Sequence, residues 1–145
     1  STARELLTIW YISHIIKQRE SAVGKMNEYE VVFYEKEDGT RPALDYIQSL
    51  SVKMQAKILK IASMLEIDGT RLRMPYSEFL QDGIFQIRAQ QEGNISRVLY
   101  FFAVGKRIVL TNGFTKKTSK TPPSEIALAK EYRADYERRE AQRPC

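Results

Sequence analysis

The chain predicts an α+β protein, an antiparallel β-sheet with helices packed on one face. Three observations lead there. A β-branched and aromatic run lies near residue 30, two stretches with helical spacing fill residues 42 to 69, and three strand-like runs between residues 84 and 114 follow one another across short turns. The order strand, two helices, three sequential strands and a final helix calls for such a layered arrangement.

Taken in order, Glu28 to Glu35 carries Tyr29, Val31, Val32, Phe33 and Tyr34, and stops at the turn residues Asp38-Gly39-Thr40; it reads as the first strand. Pro42 suits a first helical turn, and Leu44, Ile47, Leu50, Met54, Ile58, Ile61, Met64 and Leu65 keep helical spacing up to Gly69, a C-terminal cap. This predicts two helices, or one broken near Ser51. Thr70 to Tyr76 is polar, basic and interrupted by Pro75, and reads as an exposed connection. Ile84 to Ala89, Ser96 to Val104 and Arg107 to Phe114, joined through Glu92-Gly93-Asn94 and Gly105-Lys106, predict a three-stranded meander. Pro122-Pro123 then opens a helix with Thr121 as its N-cap and Glu125 in its first turn, and Arg138 to Cys145 reads as a frayed charged tail.

Residues 1–25 stand apart as an N-terminal helical extension. Leu6, Leu7, Trp10, Tyr11, Ile15 and Ile16 form an amphipathic stripe, and Met26 opens a domain expected to span residues 26–145. Leu6 to Ile16 is too short and too polar to span a bilayer, and no signal-peptide pattern follows it. A cytoplasmic location is expected. Cys145, the single cysteine, leaves no internal disulfide or cysteine-based metal cage.

The 145 residues suit one domain, and 43% apolar with 28% charged residues is an ordinary globular composition. The net charge of +5 is unevenly placed. Between Gly93 and Ser124 there is no Asp or Glu, while Arg97, Lys106, Arg107, Lys116, Lys117 and Lys120 all fall there. That stretch fits either a polyanion partner or a solvated basic surface. The single histidine, His14, lies in the extension, so the domain has no group that titrates near neutrality in its unperturbed state. No phosphate-binding glycine loop, nucleophile elbow or metal-spaced cluster is present, and neither a metal nor a cofactor is expected. What remains is cationic. Arg88 and Arg97 stand on neighbouring predicted strands, with Lys116, Lys117 and Lys120 after the last one; they either converge on a phosphate or face outward in ordinary ion pairs.

The run IFQIRAQQEGNISRVLYFFAVGKRIVLTNGFTKKTSKTPPSEIALAKEYRADY, residues 84–136, resembles the C-terminal half of the RelE/ParE toxin superfamily, in its HigB-like, phage-derived branch. The features carrying the likeness are a strand ending in an arginine, an R-V-L-Y-F strand, a strand ending in GF-x-KK-T, and K-T-P-x-x-E-I-x-x-A. MNEYEVVFYEKEDGTRPALDYIQSL resembles the family's opening, so the likeness spans Met26 to about Tyr136. It implies a fold like the compact microbial ribonucleases and cleavage of messenger RNA on the ribosome. The implied partner is a helix-turn-helix antitoxin, HigA-like. The family's functional positions fall on Arg88, Arg97, Lys116 and Lys117: the arginines stabilise transition-state charge, and Lys117, or else Lys116, acts as acid or base. Tyr76 and Phe114, with Tyr100 behind them, are candidates to stack on bases. Arg73, with Arg71, and Lys120 are candidate backbone contacts. One departure is Asn112, where many relatives carry a histidine; an amide cannot shuttle a proton. The rival reading is a toxin-like protein that binds without cutting, a ParE-like gyrase inhibitor or an inactive phage relative. A third is an N-terminal helix that covers the active face or forms a homodimer.

Overall fold

The computed structural model describes Trp10, residues 27–116 and residues 120–143. A five-stranded sheet organises them. Its strands are β1 (Glu30–Phe33), β2 (Ser77–Gln81), β3 (Ile84–Gln91), β4 (Asn94–Ala103) and β5 (Arg107–Lys116), in the spatial order β1-β5-β4-β3-β2. Strand β1 runs parallel to β5, and every other pairing is antiparallel. The helices are α1 (Pro42–Gln48), α2 (Val52–Asp68) and α3 (Pro123–Ala141). The α+β class is as expected.

Local chemistry sets the boundaries. Pro42 opens α1, and Ser51 Oγ accepts from the Met54 amide to start α2 as a separate helix. Gly69 ends α2 at φ +53°, with the Tyr29 ring so close that a Cβ there would lie 2.0 Å from it. Edge strand β1 is covered by the end of α2, where the Glu66 carbonyl accepts from Glu28 and Tyr29, and its carboxylate accepts from Val31 N at 3.1 Å.

Several expectations are corrected. Ser77–Gln81 is a strand, joined to β3 by Asp82-Gly83 with φ of 51° and 79°, the turn whose twist matches a hairpin. The helices do not share one face. α1 and α2 bury Ile47, Ile58 and Leu65 against Ile87, Val98, Tyr100 and Leu110, whereas α3 buries Ile126 and Ala129 against Ile84, Leu99, Phe101 and Val109. The reason is legible in β4, whose residues Ile95 to Phe101 are buried on both sides of the pleat; each large apolar side chain among them stabilises by about 1.5–3 kcal/mol, so both faces need a cover. Thr121 does not cap α3. Its hydroxyl donates instead to Gln86 Oε1 at 2.7 Å, and Pro122 takes the cap position. Nor does the chain fray at Arg138, because α3 runs to Ala141, with Arg138 and Arg139 both paired to Asp135. Trp10 lies edge-on to Phe33, ring centroids 6.3 Å apart. The rest of the N-terminal stripe, His14 and the dimer contact expected there lie outside the described residues.

Candidate functional site

Arg88 on β3 stands directly opposite Arg97 on β4, and Arg97 directly opposite Phe114 on β5. Strand alternation puts all three on the face where Leu99 and Phe101 meet α3. They form a row across three strands just past the start of that helix. The Arg97 guanidinium lies over the Phe114 ring, 5.4 Å from its centroid, a cation–π arrangement.

Two arginines directly opposite one another repel, and such a pair is normally avoided. Here one of them is also buried: Arg97 is wholly covered, while Arg88 is partly exposed. Burial first, and then the Arg88 charge, pulls the Arg97 guanidinium below the ordinary arginine range; Glu78 and Tyr46 act in the opposite sense. The row is therefore a fixed concentration of positive charge in a partly dry setting, where an arriving anion gains most.

A carboxylate sits at its edge. Glu78 Oε1 is 4.0 Å from Arg88 Nη1 and accepts from Gln86 Nε2 at 2.8 Å, and Gln86 in turn accepts from Thr121. The relay ties β2, β3 and the start of α3 together and fixes Glu78 beside the arginine. Asn112 is buried, and its amide donates to the Glu125 carbonyl at 3.2 Å and to Glu125 Oε1 at 3.1 Å. Asn112 thus clamps the first turn of α3 onto β5.

The model of the family described as Phage derived protein Gp49-like (DUF891) matches residues 45–134. The chain belongs to this Gp49-like family. The family is toxin-like and related to the RelE and HigB proteins. No curated protein matches the chain. The Gp49-like match covers the arginine row, Glu78, Asn112 and the whole segment from Lys116 to Lys120.

The remaining candidates divide. Lys116 is exposed and opposite Ile95, two residues beyond Phe114 and on the same face of β5. Lys120 is exposed shortly before α3, and Lys117 lies outside the described residues. Tyr76 is exposed and joined to the row through the backbone, its carbonyl accepting from Arg88 N at 2.9 Å. Arg71 bends back to the Ile67 carbonyl in the last turn of α2 at 3.3 Å, and Arg73 to the Thr70 carbonyl in the turn just after it at 2.6 Å. They serve the helix terminus. Tyr100 faces the opposite side, buried, with its hydroxyl hydrogen-bonded to Ser77 and its pKa pushed up to about 12, mainly by burial; it is core. Sequence reasoning missed Glu78, Gln86 and Thr121 as site neighbours. The signal that would have found the first two is Asp82-Gly83, since recognising that hairpin places Glu78 opposite Gln86. Among the described residues no cluster of three or more His, Cys, Asp or Glu is arranged to hold a metal, and no helix is long and apolar enough to cross a membrane.

Proposed function

We propose that this Gp49-like protein is the toxin of a type II toxin–antitoxin pair, a metal-independent endoribonuclease that cuts messenger RNA on the ribosome and so inhibits translation. The observation that carries this reading is the row of Arg88 directly opposite a buried Arg97, which suits a phosphate rather than a metal or a neutral ligand. The membership of a toxin-like family supports it.

The chemistry that fits is internal transfer. The ribose 2'-oxygen forms a bond to the adjacent phosphorus as the P–O5' bond breaks, leaving a 2',3'-cyclic phosphate and a 5'-hydroxyl. Arg88 and Arg97 hold the extra negative charge of the pentavalent stage. One group takes the 2'-hydroxyl proton and another protonates the leaving 5'-oxygen. With no histidine at Asn112, Glu78 is the base that the geometry favours. Lys117, or Lys116 beside it, serves as the acid. In this reading Phe114 and Tyr76 stack on flanking bases, and Lys120 extends the positive track. A HigA-like helix-turn-helix antitoxin that covers this face would silence the protein in the cytoplasm.

A binding-only toxin, such as a gyrase inhibitor, is favoured by one observation, the use of Asn112 as a clamp on Glu125. Induction of the full chain in bacteria with 5'-end mapping of messenger RNA separates the two. New cuts within translated regions, lost in Arg97→Ala, Lys117→Ala and Glu78→Gln, support the ribonuclease. Growth arrest without cuts overturns it in favour of binding alone.

A further inference from the structure

Between α2 and the far end of β3 lies a cleft of about 480 Å³. Among the described residues its walls carry three cations, Lys57 and Lys60 from α2 and Arg88 from β3, and no carboxylate. Lys57 Nζ donates to the Gln90 carbonyl at 2.7 Å, which holds that ammonium against β3, and Lys60 is exposed. The remaining surface is soft and apolar. Met64, Met74 and the exposed ring of Tyr76 line it, and Met74 Sδ is 3.4 Å from Arg88 Nη1.

Either half of this lining alone would fit a simpler ligand. A bare anion needs the lysines but not the methionines, and an apolar molecule needs the methionines but not the lysines. Together they suit an anion with a flat, polarisable body, because thioether sulfurs and a phenol ring both favour aromatic faces. The volume lies in the range of small-ligand sites. Arg88 belongs to both places, so an RNA strand with one phosphate at the arginine row carries its next nucleotide toward the cleft.

We propose that this cleft takes one nucleotide of single-stranded RNA beside the phosphate held by Arg88 and Arg97. Its base lies against Met64, Met74 and Tyr76, and its phosphate turns toward Lys57 and Lys60. The proposal rests on the arginine row being an RNA phosphate site, and the test separates the two.

The experiment is an amide-resonance titration of the full chain with adenosine 5'-monophosphate, with inorganic phosphate and an octaglutamate peptide as controls. Affinity for a single-stranded hexaribonucleotide is measured alongside. The nucleotide should move the amides of Tyr76, Ala89 and Gln90 in a way that phosphate does not reproduce, and Lys60→Glu should abolish the effect. Tyr76→Ala should weaken the hexaribonucleotide by about fivefold or more, the loss of one stacked base. Both positions are exposed, so a native spectrum is expected of both variants. Shifts confined to Arg97 and Phe114, unchanged in Lys60→Glu, overturn the cleft while sparing the arginine row. Equal shifts with octaglutamate overturn base recognition, and no shift anywhere overturns both readings.

Discussion

Gly113 precedes Phe114 on β5, and replacing it with alanine should loosen the whole site. An added Cβ would stand 2.3 Å from Cδ2 and 2.7 Å from Cε2 of Tyr46, and 2.8 Å from the backbone oxygen of Arg97. Carbon atoms pack comfortably at about 3.5–4.0 Å, so the ring would have to retreat by about 1 Å. It is not free to do so, because the Tyr46 hydroxyl is 2.5 Å from Thr115 Oγ1 and the ring is part of the core beneath α1. The Arg97 carbonyl yields only if β4 moves. Overpacking of this kind costs about 1–3 kcal/mol, and two immovable neighbours put Gly113→Ala near the upper end. At about 2–4 °C per kcal/mol for a chain of this size, Tm should fall by about 6–12 °C. Urea unfolding followed by circular dichroism measures the loss. Tyr46→Ala should relieve part of it, giving a favourable coupling of at least about 0.5 kcal/mol in the double variant. A Gly113→Ala protein within about 0.5 kcal/mol of the parent, or a strictly additive double variant, would refute the reasoning.

Asn112→Ala removes both hydrogen bonds to Glu125, and chemical denaturation should show a loss of about 1–2 kcal/mol with RNA cleavage retained; abolished cleavage at unchanged stability would place Asn112 in the chemistry instead. Tyr100 has its pKa raised to about 12 in the folded state. Its contribution is therefore complete below the unfolded value of about 10 and lost as pH rises toward 12, about 2–3 kcal/mol in all. Unfolding free energies measured across that window should decline less in Tyr100→Phe, and parallel declines would contradict the assignment. For a single-stranded RNA, Arg88→Ala and Arg97→Ala should each flatten the dependence of log K on log salt by about 0.7, one phosphate contact apiece. An unchanged slope in both, measured by fluorescence anisotropy, would remove the row from the binding surface.

The α+β class, both helices between residues 42 and 69, the meander and the α3 start were legible in the sequence. Each rests on a local signal: Pro42, Gly69, Gly93, Gly105 and Pro123 fix backbone directions wherever the rest of the chain goes. Arg88, Arg97 and Phe114 were likewise legible as candidates, because their residue types limit their chemistry. Their alignment in one row was not, since it depends on a register shift between β4 and β5 near Leu99 that aligns Phe114 with Arg97. Tyr100 shows the same limit in reverse: its type allows stacking on RNA, and only the pleat, pointing it at Ser77, makes it core. Thr121 and Asn112 were read as a cap and a lost proton carrier, yet their partners, Gln86 at 35 residues' distance and Glu125 at 13, are set by where α3 lands on the sheet. The sequence by itself determined most of the elements, strand β2 excepted, and which charges are available. Tertiary structure alone decided which face each side chain takes and which charges are forced together, because strand register and helix placement depend on contacts between residues far apart in the chain.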